Sequence, residues 1–202
     1  MKFLLLFENY KNKTIINIDI QSEYEKSIGF SLSEWVKFLN KANNDNIIVF
    51  LYNGKDTVGD ISKDEYMWWL EDLGLKRTVI EQAIFYDKGY AFFRYCMDFG
   101  LEEDAIVDFV KFMIKHNIND SRDLDEEMWN TFMEETNYTR NDVRDLMEIS
   151  DDCIYIPDLM NVLKKYNNIV ITGGGITECL KEVEIALLAL NKPYEIMEKF
   201  TY

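Results

Sequence analysis

The sequence predicts an α/β domain on a mainly parallel, doubly wound sheet, with a helical insert in the middle of the chain. Three observations carry this. Short β-branched apolar runs recur in the first and last thirds. Amphipathic stretches with helix-capping residues separate those runs. Over residues 90–150 the β-rich runs cease and helical periodicity takes over.

The elements follow in order. Met1-Lys2-Phe3-Leu4-Leu5-Leu6-Phe7 is too short for a signal-peptide core, has no small-residue cleavage site and reads as a buried first strand. Thr14-Ile15-Ile16-Asn17-Ile18-Asp19-Ile20 has the β-branched content of a central parallel strand. Ser31-Leu32-Ser33-Glu34 is a capping box opening a helix with Trp35, Phe38, Leu39 and Ala42 on one stripe. Ile47-Ile48-Val49-Phe50-Leu51-Tyr52 is a second buried strand. Ser62-Lys63-Asp64-Glu65 caps a helix running to Gly74, and Gln82-Ala83-Ile84-Phe85-Tyr86 suits a short third strand. The aromatics Trp68, Trp69, Tyr90, Phe92 and Phe93 read as core, with pocket lining as the alternative.

In the middle, Ile106, Phe109, Val110 and Met113 repeat at the spacing of one helix face, with Asp104, Asp108 and Lys111 off it. Two more helices are expected over 123–135 and 139–148. His116 falls near a helix end, where it complements the dipole, and Asp120-Ser121-Arg122-Asp123 reads as a turn with a helix cap. The expectation is one α/β domain over 1–202, with 90–150 as a helical insert or lid.

The last third returns to alternation. Cys153-Ile154-Tyr155-Ile156 is a short strand, and Pro157 suits the first turn of a helix. Asn168-Ile169-Val170-Ile171-Thr172 is a strand, Gly173-Gly174-Gly175 a turn, 177–190 a helix and Tyr194-Glu195-Ile196-Met197 a last strand.

Composition bounds the function. The chain has 202 residues, 48% apolar and 14% aromatic, enough for one packed core, while 9 Gly and 2 Pro leave no linker. The 37 acidic and 22 basic residues give a formal charge of −15, which repels phosphate backbones and argues against non-specific nucleic-acid binding. Three cysteines, Cys96, Cys153 and Cys179, are no disulfide framework and fit a reducing compartment. No apolar run approaches the roughly 18 residues of a membrane span. The expected location is the cytoplasm.

In parallel α/β sheets ligands bind beyond the carboxyl ends of the strands, where strand order reverses. That rule makes Asp19, the Asn53-Gly54 turn and the Gly173 turn neighbours. Asp19 there can serve as a general base, a metal ligand or an orienting group. Residues 168–179 form the most specific stretch: strand, three glycines, helix. Glycines let backbone N–H groups approach a ligand, and a helix start favours negative charge. Cys179 in that first turn is placed to act as a thiolate nucleophile, and the N–H groups around Gly173, Gly174, Gly175 and Thr177 are candidates for holding substrate or an oxyanion. The run is neither a P-loop nor a dinucleotide fingerprint.

Asp19, Gln21 and Tyr24 stand as D-x-Q-x-x-aromatic, and the segment Ile16-Asn17-Ile18-Asp19-Ile20-Gln21 resembles the first strand of the isochorismatase-like cysteine hydrolases, which include nicotinamidases. Tyr86-Asp87-Lys88-Gly89-Tyr90-Ala91-Phe92-Phe93 is similar to the family's lysine segment, and Ile169 through Cys179 looks like its late strand, glycine turn and nucleophile helix. The resemblance implies Cys179 as nucleophile, Asp19 as its base and Lys88 as electrostatic helper. It implies hydrolysis of a small amide-type or nucleotide-derived substrate through a covalent intermediate, with no cofactor expected. The chain departs from the family in three ways: a longer gap between Lys88 and Cys179, one residue rather than two between Thr177 and Cys179, and no match to the histidine-bearing metal site. The chain also resembles a group of tailed-phage proteins, a likeness that carries no activity with it.

Two alternatives remain open. Asp19, Asp56, Asp60, Glu178 and Glu182 could converge on Mg²⁺ or Mn²⁺ in a metal-dependent phosphohydrolase or nuclease. Otherwise Glu178 complements the helix start and Glu182 faces solvent. The acidic surface could instead occupy a basic protein partner without catalysis. A small-molecule substrate or such a partner is therefore expected, no membrane, and a homo-oligomer is compatible with the sequence.

Overall fold

The computed structural model describes residues 10–43, 45–54, 61–88, 92–152 and 158–202. The strands expected over 1–7 and 153–156, the helix start at Pro157, and Asp56, Asp60, Tyr90 and Cys153 lie outside them.

Five strands form one all-parallel sheet: β1 (Thr14–Ile18), β2 (Ile47–Tyr52), β3 (Ile84–Asp87), β4 (Ile169–Gly173) and β5 (Tyr194–Ile196), in the order β3-β2-β1-β4-β5. Residue Ile18 pairs with Leu51 on one side and Gly173 on the other, so the three central strands end level. Every residue of β1 and β4 is buried, which is why both read as continuous rather than alternating apolar runs.

The chain divides into two compact units. The first comprises Met1–Gly89, Tyr166–Lys181 and Pro193–Tyr202. It holds the sheet with helices α1 (Leu32–Ala42), α2 (Lys63–Asp72) and α3 (Arg77–Gln82). One hydrophobic cluster joins Ile15, Ile48, Phe50 and Val170 of the sheet to Trp35, Phe38 and Leu39 of α1, Tyr66 and Leu70 of α2, and Val79 and Ile80 of α3. At Ser62 the capping box is complete, with Glu65 returning to the Ser62 N–H at 2.9 Å. At Ser31 only half of the expected box forms. Its hydroxyl accepts from the Glu34 N–H at 3.4 Å, but the Glu34 carboxylate pairs with Lys199 Nζ at 2.8 Å.

The second unit comprises Tyr90–Lys165 and Glu182–Lys192, and all its described regular elements are helical. They are α4 (Phe92–Asp98), α5 (Glu103–Lys115), α6 (Glu126–Thr136), α7 (Arg140–Asp152) and α8 (Asp158–Leu163), with most of α9 (Cys179–Ala189). The predicted stripe of Ile106, Phe109, Val110 and Met113 is buried in α5, where Phe109 stacks on Trp129 of α6 at 5.5 Å. Among the described residues no helix is long and apolar enough to cross a membrane.

Several sequence expectations need correction. Gln82 ends α3 rather than opening β3, because the chain turns helical at Arg77 and is released only at Ala83, which is extended. The helix expected from 123 starts at Glu126 behind an Asp125 cap, and a separate 3₁₀ turn, Ser121–Asp123, is capped by Asp120. Trp68 is 65% exposed and is not core, although Trp69 stacks on Tyr66. The last helix begins at Cys179, not at 177, because Glu178 and Leu180 donate to the Gly175 carbonyl in a turn.

Candidate active site

Parallel strands bring their carboxyl ends to one edge. There Lys88 follows β3, Asn53 follows β2, Asp19 follows β1 and Gly174 follows β4. Strand order runs outward from β1 to β3 and then resumes on the opposite side of β1 with β4. The reversal, and hence the crevice, lies between β1 and β4, where Asp19 and the glycine turn meet.

Asp19 sits in the left-handed region at φ +46°, a conformation that costs an L-residue about 1–2 kcal/mol and that aspartate tolerates better than most. Three contacts hold the backbone there. The Asp19 N–H donates to Leu51 O at 2.9 Å, the Tyr202 hydroxyl donates to Asp19 O at 3.3 Å, and the Tyr66 hydroxyl donates to Ile20 O at 2.8 Å. The carboxylate is 0% exposed, and Lys88 Nζ, itself on a side chain 3% exposed, stands 3.1 Å from its Oδ2. The contact is an ion pair rather than an aligned hydrogen bond, and Oδ1 has no hydrogen-bond partner among the described residues. Lys88 is fixed at the edge of β3 by its own N–H, which donates to Tyr52 O at 2.9 Å.

Beside Asp19, Gln21 ties the end of β1 to the end of β2. Its Oε1 accepts the Asn53 N–H at 3.0 Å, and its Nε2 donates to Glu23 at 3.2 Å. Asn53 is 8% exposed, and its Nδ2 donates to the Tyr24 hydroxyl at 3.1 Å. The next residue, Gly54, donates its N–H to Asp87 Oδ1 at 2.9 Å, and a Cβ there would run into that carboxylate.

The glycine turn is shaped by its own chain. Gly173 and Gly174 have φ of +78° and +65°. A Cβ at Gly173 would strike Ile18 O and the Ile20 side chain, and one at Gly174 would lie 2.7 Å from Leu180 N. Tyr202 closes the turn, accepting the Ile176 N–H at 2.7 Å and donating its own N–H to Gly174 O at 3.3 Å. Cys179, half-buried, is the first residue of α9.

Two tyrosines link the parts electrostatically. Burial raises the Tyr202 hydroxyl pKa, and the Asp19 carboxylate and then Cys179 raise it further. Tyr24 is raised mainly by burial, against an opposing hydrogen bond from Asn53, with Asp19 and Cys179 adding to the rise. Both hydroxyls therefore sense Asp19 and Cys179 together.

Of the predicted site residues, Asp19 and Lys88 are in contact, and Cys179 begins the helix that follows the Gly173-Gly174-Gly175 turn. Thr177 and Glu178 are exposed in that turn, ahead of the first residue of α9. Glu182 is 1% exposed and does not face solvent. Among the described residues no group of three or more His, Cys, Asp or Glu side chains could hold a metal ion. His116 closes α5, with Nε2 3.2 Å from Glu135. Residues not singled out from sequence are Asn53 as a side chain and Tyr202. Gln21 and Tyr24 were visible inside the D-x-Q-x-x-aromatic pattern, while nothing near Tyr202 signals its return to Asp19.

No protein family, curated protein or solved structure matches the chain.

Proposed function

We propose that the protein is a cysteine-nucleophile hydrolase of a small amide-type or nucleotide-derived substrate, working in the manner of the isochorismatase-like enzymes. The observation that carries this reading is the buried Asp19–Lys88 ion pair at the switch point of the sheet. Cys179 supports it by standing at a helix start within electrostatic reach of the same two tyrosines.

The chemistry follows from these groups. Asp19 takes the thiol proton of Cys179, and the thiolate attacks the substrate carbonyl carbon. An S–C bond forms and the carbonyl oxygen carries the negative charge. Collapse breaks the C–N bond, and the leaving amine receives the proton from Asp19. Water then attacks the thioester, giving a proton back to Asp19. The S–C bond breaks, the acid leaves and Cys179 recovers its proton. Lys88 offsets the negative charge of the buried Asp19 carboxylate and of the thiolate formed beside it.

The test is rapid-quench mass spectrometry of the full chain with a panel of small amides. An acyl adduct on Cys179, absent in Cys179→Ser together with amine release, supports the reading. Amine release by Cys179→Ser at the wild-type rate defeats it.

A further inference from the structure

Among the described residues, the buried side chains of Asp19 and Asn53 each carry an oxygen without a hydrogen-bond partner. The two stand on neighbouring strand ends of one sheet, whose strands are spaced about 4.8 Å apart. A buried amide oxygen left without a donor is costly and uncommon, and a ligand is one of the few things that accounts for it.

At Asn53 the backbone and the amide nitrogen are engaged. The backbone N–H goes to Gln21 Oε1 at 3.0 Å, the backbone carbonyl receives Gln21 Nε2 at 3.5 Å, and Nδ2 donates to the Tyr24 hydroxyl at 3.1 Å. The first two hold the backbone and the third orients the amide, leaving Oδ1 as the atom with nothing to accept. Strands β2 and β4 flank β1 and end level with it, so Asn53 and the glycine turn that leads to Cys179 stand on either side of Asp19 at one edge of the sheet.

We infer that Asn53 is a specificity-determining residue whose Oδ1 accepts an amide N–H of the ligand, so that the site selects small carbonyl compounds bearing an unsubstituted amide nitrogen. This rests on the cysteine-hydrolase reading. Asp19 Oδ1 makes the same edge of the sheet rich in acceptors, which favours a donor-bearing group over an acceptor.

The experiment compares two alkylating reagents on the full chain: 2-iodoacetamide, with two N–H donors, and 2-iodo-N,N-dimethylacetamide, with none. In each, the Cys179 sulfur–carbon bond forms, iodide leaves and the thiol proton passes to Asp19 or water. Rates at Cys179 are read by peptide mass mapping and divided by the rate of the same reagent with glutathione. The inference predicts a preference for the primary amide of about tenfold, the usual yield of one buried hydrogen bond. In Asn53→Leu the preference falls to near one, and in Asn53→Asp, which keeps an acceptor, it persists. Equal normalised rates in the wild-type chain, as expected if only water meets Oδ1, overturn the inference. A preference that survives in Asn53→Leu overturns it too, since bulk alone then explains the ratio. If neither reagent modifies Cys179, the thiol reading itself fails and takes the subsite with it, an outcome distinct from equal rates.

Discussion

Lys88 Nζ stands 3.1 Å from Asp19 Oδ2, and neither side chain is more than 3% exposed. Two charges held so far from water lose much of their hydration, and their attraction offsets that loss only while both are present. Asp19→Asn and Lys88→Met should each cost about 3–5 kcal/mol, because each leaves one buried charge without that counter-charge. The double variant should cost clearly less than the sum. Urea unfolding of all four proteins closes the cycle, and additive losses would show that the two groups do not depend on each other.

The glycine turn makes a second, graded prediction. Gly173 and Gly174 have positive φ and would push a Cβ into backbone atoms, whereas at Gly175 the nearest atom is the Glu178 side chain at 3.3 Å. Alanine should therefore cost roughly 2 kcal/mol or more at 173 and 174 and less than about 1 kcal/mol at 175. Denaturant midpoints read the difference. If 175 proves as sensitive as 173, the chain's own packing does not explain the run.

Alkaline pH should unfold the protein through Tyr66. This side chain is 0% exposed, its hydroxyl donates to Ile20 O, and burial raises its pKa well above 10.0. A raised native pKa means that the native state keeps a proton the unfolded chain releases. Stability from this group is thus complete below about pH 10 and is lost as pH climbs from there towards the native value. The slope is about 1.4 kcal/mol per pH unit for one such tyrosine. Tyr66→Phe should lose the hydrogen bond yet show a shallower decline above pH 10. An unchanged slope would assign the alkaline transition to other groups.

How far the sequence reached depended on whether a feature was local. The strands β1, β2 and β4 are legible because burial of all of β1 and β4, and of β2 from Ile48 on, leaves nearly continuous apolar runs, and the Ser62 box because both partners lie within one turn. The lower edge of β3 was misplaced because Gln82 and Ala83 carry no breaker, and the helix α3 that claims Gln82 is only six residues long. Asp19 is legible from its place at a strand end and Lys88 only through the family resemblance, but their contact is tertiary and invisible in composition. Asn17 shows the same limit: it looks like a polar interruption of a strand, yet its Oδ1 accepts Trp35 Nε1 at 3.0 Å and Thr172 Oγ1 at 2.9 Å. Tyr202 meets Asp19 across 183 positions, a separation over which no spacing rule operates.

The central claim is that Asp19 and Cys179 act as one proton-sharing unit. The most direct measurement is the pH dependence of Cys179 alkylation in the wild-type chain and in Asp19→Asn. The account predicts that Asp19→Asn slows Cys179 alkylation and changes its pH profile while leaving Cys96 unaffected. Cys179 rates and profiles identical in both proteins would contradict it.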